Sequence, residues 1–183
     1  MEKTYIILPS TNVGNDQLMF NEVKEYIIKA LSQKGYIYAN NYSEANYALL
    51  IDYGIGEPEK ITSTYSIPIF GQTGVQSSTT IGNSTYYKPT YGITGSTTNT
   101  STRTEYRRHL DILAYDNQKF LNENEEIQLW HSSAISTGSS NDLRLVMPYM
   151  VTALKDYIGT DTKKTINIVL YKNDENVRNL EQK

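Results

Sequence analysis

Apolar residues recur along this chain with two periods, and each change of period marks an element boundary. Residues 4–8 form a short apolar run closed by Pro9, the pattern of a buried first strand. From Asp16 the spacing lengthens. Met19, Val23, Tyr26, Ile27, Ala30 and Leu31 fall on one helical face, with Glu22, Lys24, Glu25, Lys29 and Lys34 opposite. This predicts a helix over 16–34, capped by Asn15 or Asp16 and stopped by Gly35. A brief strand at 36–39 and a turn or single helical turn at 43–45 follow. Residues 47–53 are apolar on both sides, as a strand near the centre of a sheet requires. Asp52, close to Gly54 and Gly56, reads as a residue that bonds turn backbone rather than a catalytic carboxylate.

Residues 61–70 again read as extended, and Pro68 argues for an edge strand. Residues 71–103 differ in composition, being rich in Ser, Thr, Gly and Tyr and too poor in apolar residues for a core of their own. Threonine favours strands, and Tyr86, Tyr87 and Tyr91 offer anchoring rings. The segment is therefore expected to be a projecting β-arm or a long mobile loop inserted between two sheet strands; its length makes it a functional candidate, and a solvated, partly disordered excursion is the alternative reading of the same composition. Residues 104–136 then predict an antiparallel hairpin with a polar turn at 117–125. In its first strand Tyr106, Arg108, Leu110, Ile112 and Ala114 share the core face, opposite Arg107, His109, Asp111, Leu113 and Tyr115. In its second strand Trp130 and Ala134 oppose Ile127, Leu129 and Ile135.

A second helix follows, capped by Ser139, Ser140 or Asn141. Its stripe is Leu143, Val146, Met147, Met150, Val151, Leu154 and Tyr157 or Ile158, Pro148 interrupts it, and Gly159 stops it. Residues 165–171 predict the last strand, and 173–183 a polar tail. The fold class is α+β: one mixed or mainly antiparallel sheet, two helices on one face, and the 71–103 arm between strands. Residues 1–172 make one domain.

The chain has 183 residues, a formal net charge of -3 and no cysteine. Disulfides, thiolate metal sites and cysteine nucleophiles are excluded, and no basic patch invites nucleic acid. The N-terminus lacks the basic and apolar regions of a signal peptide. Sixteen tyrosines, with abundant Thr, Ser and Asn, lean toward a mature exported chain. Gly-x-Ser-x-Gly, Walker and dinucleotide motifs are absent. His109 and His131, with Asp111 or Glu105 nearby, make a candidate two-histidine metal site on neighbouring strands; solvent-facing strand histidines are the reading preferred, with no metal or cofactor expected. Trp130 reads as filling the gap between sheet and helix, and Arg107 and Arg108 as strand-face charges.

The run from Glu44 to Tyr53, the Tyr- and Gly-rich excursion after it, Tyr106-Arg-Arg-His-Leu-Asp-Ile and Ile127-Gln-Leu-Trp-His-Ser-Ser-Ala together resemble small bacterial envelope lipoproteins of an uncharacterised domain family. The resemblance covers most of the chain. It implies a periplasm-facing, membrane-anchored lipoprotein of a Gram-negative bacterium with no enzymatic activity, although no lipid-bearing cysteine stands in this sequence. The expected partner is another envelope protein or a second copy, met by the arm or a sheet edge, with membrane contact only through an N-terminal lipid. The binding candidates are Tyr86, Tyr87, Tyr91, Arg107, His109, Trp130 and His131. Alternative readings are a glycan or cell-wall-fragment binder using the aromatic rings and, behind it, a metal-dependent hydrolase.

Overall fold

The computed structural model describes residues 3–13 and 16–181. They divide into two compact units, Met1–Pro58 with Glu105–Lys183, and Glu59–Thr104. The α+β class holds. Among the described residues are strands β1 (Thr4–Pro9), β2 (Ile37–Tyr38), β3 (Tyr47–Ile55), β4 (Glu59–Ile81), β5 (Ser84–Asp116) and β6 (Gln128–Gly138). The helices are α1 (Gln17–Ser32), α2 (Asn117–Glu123), α3 (Leu143–Lys155) and α4 (Glu175–Glu181).

In the first unit β1 lies parallel to β2 and β3, β3 is antiparallel to β5, and β6 is antiparallel to β5 along its other side. A parallel neighbour needs a crossover, and α1 supplies it between β1 and β2. Asp16 caps α1 by accepting from the Met19 amide at 3.0 Å, and Gly35 ends the turn with φ of +76°. The other predicted cap, Asn15, lies outside the described residues. Alternation sends Leu49 and Ile51 of β3 and Leu110, Ile112 and Ala114 of β5 to one face. There they are buried with Tyr5 and Ile7 against Val23, Ile27 and Leu31 of α1 and Met147, Met150, Val151 and Leu154 of α3. Both predicted helices therefore cover one face of the sheet.

Four expectations change. The polar turn at 117–125 is a helix, α2: Asp116 caps it from the Lys119 amide at 3.0 Å, and Asn124, left-handed at φ of +56°, ends it. An Asn- and Glu-rich stretch carries turn composition, but a cap and a left-handed stop at this spacing close a short helix. Asp142, not Ser139, Ser140 or Asn141, caps α3. Residues 165–171 have strand alternation but join no ladder; their periodicity specified extended backbone, not a partner. The expected polar tail contains α4, whose Val177 and Leu180 are buried. Leu180 belongs to the main core, and its carbonyl accepts from Lys29 Nζ at 2.8 Å. Two apolar residues three apart in a charged segment are too few to show a period.

The second unit is a two-stranded antiparallel hairpin, so 71–103 is ordered as an arm and not as a loop. Strand β4 does not stop at Phe70 but continues to Ile81, and β5 begins at Ser84. Gly82, at φ of +64°, followed by Asn83 without positive φ, makes the tight two-residue connection that matches strand twist. Threonine hydroxyls face each other across the ladder at Thr62–Thr102, 3.3 Å, and Thr80–Thr85, 3.1 Å.

Candidate functional site

On the opposite face of the first unit's sheet, Phe120 and Leu121 of α2 border Leu8, Ala48, Leu50 and Tyr115, while the part around Asp52 and Asp111 is open. On it the β3–β5 register sets Asp52 directly opposite Asp111, and Gly54 opposite His109. The β5–β6 register sets Asp111 opposite Ser133, and Leu113 opposite His131. Each aspartate meets an imidazole on the diagonal: His109 Nε2 lies 3.6 Å from Asp52 Oδ2, and His131 Nε2 lies 2.8 Å from Asp111 Oδ1. The remaining oxygen of Asp52, Oδ1, accepts from Ser10 Oγ at 2.5 Å. One ligand atom from each of Asp52, His109 and Asp111 falls within 4.8 Å of the others. These residues border an open cleft of about 580 Å³ that Arg107, Ser133 and Ile135 also line.

Gly54 makes this arrangement possible. A Cβ there would sit 2.6 Å from His109 Cε1, inside contact distance, so the imidazole lies over the strand only because position 54 has no side chain.

The binding candidates divide among three places. Arg107, His109 and His131 share the open face. Trp130 turns to the other face and packs against the main core, as expected, with its indole nitrogen 3.5 Å from where a Cβ on Gly159 would stand. Tyr86, Tyr87 and Tyr91 belong to the hairpin unit and are all more than 60% exposed. Arg108 is not the strand-face charge expected. It faces the core, is buried, and donates to Ser136 Oγ and the Ser140 carbonyl, both at 3.1 Å; burial pushes its guanidinium below its ordinary value. Of the two carboxylates suggested beside the histidines, Asp111 joins the cluster. Asp52 was missed as a member of it: a strand-end aspartate before glycines signals a turn, and only the β3–β5 register puts it opposite Asp111.

A family model described as a domain of unknown function, DUF4136, matches residues 2–157. The chain belongs to the DUF4136 family. No curated protein matches it. Among solved structures, a PDZ domain protein from Parabacteroides distasonis ATCC 8503 is similar at 14% identity with a TM-score of 0.40, over 86% of this DUF4136 chain and 32% of that one. The chain thus spans about a third of that protein, and the likeness is too loose to carry an argument. The DUF4136 match covers α1, the open face and α3 but stops before the unpaired 165–171 segment and α4. Among the described residues no helix is long and apolar enough to cross a membrane.

Proposed function

We propose that this chain is a non-enzymatic protein–protein contact domain of a Gram-negative cell envelope. It faces the periplasm, is held to the membrane by an N-terminal lipid, and engages a second copy or another envelope protein through the β4–β5 hairpin. The envelope setting and the anchor rest on the sequence resemblance to envelope lipoproteins. The contact role rests on one observation: the hairpin has no core. None of residues 59–104 is buried. Alternation nevertheless sets Tyr65, Ile67 and Ile69 along one side of β4, and Tyr87, Tyr91 and Ile93 along one side of β5.

An isolated two-stranded ribbon is marginal in water, and its unpaired ladder edges accept further strands. A partner strand laid along the ribbon edge supplies the missing backbone bonds, and the partner's side chains cover one of the two apolar rows. At about 1.5–3 kcal/mol per buried large side chain, covering three such residues contributes about 5–9 kcal/mol toward ordering the ribbon.

The test replaces residues 65–99 with Asn-Gly, which joins Thr64 to Thr100 across the ladder and removes all six side chains of the two rows. Light scattering across a concentration series, and crosslinking of the lipid-anchored chain in the envelope, should show the full chain associating and the shortened variant monomeric with unchanged helical circular dichroism. A full chain that stays monomeric and crosslinks the same envelope proteins as the variant overturns the reading.

A further inference from the structure

We infer that Asp52, His109 and Asp111 bind one divalent first-row transition ion of the zinc class on the open sheet face, with His131 and Ser10 orienting the two carboxylates. Two carboxylates directly opposite on one face of an antiparallel pair repel, and a sheet keeps such a pair at a cost unless positive charge stands between them. Among the described residues the ion-pair partners of Asp52 and Asp111 are imidazoles, and Arg107, in the same cleft, pairs with neither. A divalent ion at this point places positive charge where the two carboxylates face each other.

The geometry around the carboxylates is arranged for ligation. His131 holds Oδ1 of Asp111 and Ser10 holds Oδ1 of Asp52. Each aspartate is thereby fixed through one oxygen and leaves the second for an ion, that of Asp52 already lying 3.6 Å from His109 Nε2; outer hydrogen bonds orient metal-binding carboxylates in this way. His109 reaches the same point because Gly54 gives its ring room. Bonds of about 2.0–2.1 Å in a tetrahedral site place ligand atoms about 3.3 Å apart, so the present spread of 4.8 Å closes with small side-chain rotations. One imidazole with two carboxylates, and no thiolate in the chain, selects zinc-like ions over copper(I), and the nitrogen donor disfavours magnesium and calcium. Three protein ligands leave a fourth position open to the cleft.

The test uses the untagged full chain, stripped with a chelator and titrated with Zn²⁺ by calorimetry and with Co²⁺ by visible absorption. One ion per chain should bind with a dissociation constant on the order of micromolar, and Co²⁺ should give the intense visible bands of a tetrahedral site. His109→Ala and Asp111→Asn should each weaken binding by more than about tenfold and abolish those bands, and His131→Ala should weaken it by about 10–100-fold. Gly54→Ala, which keeps every ligand but displaces the ring, should also weaken binding. These residues lie on an open face, so circular dichroism should be unchanged; if His109→Ala unfolds, His109→Gln with the Co²⁺ spectrum decides. Absence of stoichiometric binding, or equal affinity in the His109 and Asp111 variants, overturns the site.

Discussion

Replacing Tyr5 with phenylalanine should make this protein more stable, and more so as pH rises. Tyr5 is wholly inaccessible to solvent, wedged edge-on against Tyr36 and Tyr38 at ring separations of 6.2 and 5.7 Å. Its hydroxyl has no hydrogen-bond partner. A buried polar group left unpaired costs about 1–3 kcal/mol. Removing one oxygen leaves a void worth only a few tenths of a kcal/mol. The net gain at neutral pH is about 1 kcal/mol, or about 2–4 °C in melting temperature for a chain of this size. Burial, then the neighbouring Tyr38, push the Tyr5 phenol far above its ordinary value of 10.0. A raised folded value means that stability is fully present below pH 10 and is lost above it, because the unfolded chain releases the proton while the folded chain retains it. At pH 11 one such residue costs the wild type about 1.4 kcal/mol, a loss the phenylalanine variant does not share. Urea melts of both proteins at pH 7 and pH 11 read the two effects separately. Equal stability at pH 7 together with parallel losses at pH 11 would show that the hydroxyl is hydrated and the reasoning wrong.

Two further predictions concern the elements around the sheet. Asn117 is buried, and its amide donates to the Tyr42 and Ala45 carbonyls at 2.7 and 2.8 Å, tying α2 to the 3-10 turn at Tyr42–Glu44. Asn117→Ala should cost about 1–2 kcal/mol in denaturant titration, since both bonds go while the Ala45 carbonyl keeps Gln118 Nε2 and the Tyr42 carbonyl keeps the Ala45 amide. Leu180→Ala should cost about 2–4 kcal/mol because α4 belongs to the core, whereas Val169→Ala, on the exposed unpaired segment, should stay within about 0.5 kcal/mol; equal effects in thermal melts would mean α4 is not docked.

The sheet and its two main helices were legible because their residues obey one period over a long stretch. Leu110, Ile112 and Ala114 alternate strictly, and Met147, Met150, Val151 and Leu154 repeat at helical spacing, so core and open face separate by counting alone. What escaped is what depends on a partner. Whether 165–171 pairs is decided by the neighbour available to it and not by its own pattern. Val177 and Leu180 become core residues only because α1 and α3 offer them a surface. The open-face cluster was half legible: His109, Asp111 and His131 alternate visibly, but Asp52 sits about 60 residues away in sequence and joins them only through strand register.

The hairpin also bears on how the sheet forms in time. Tyr47 of β3 and Asp116 of β5 are partners about 70 positions apart, a separation that makes for slow folding. But β3 runs through a three-residue link into β4, and β4 pairs with the earlier part of the same β5. Once the Gly82–Asn83 turn has closed, zipping proceeds outward one rung at a time, and β3 meets β5 across a short residual loop. Each halving of loop length lowers the closure cost by about 0.6 kcal/mol, so the shortcut is worth about 2 kcal/mol at the barrier. The exposed ribbon thereby shortens the loop that the central strands must close.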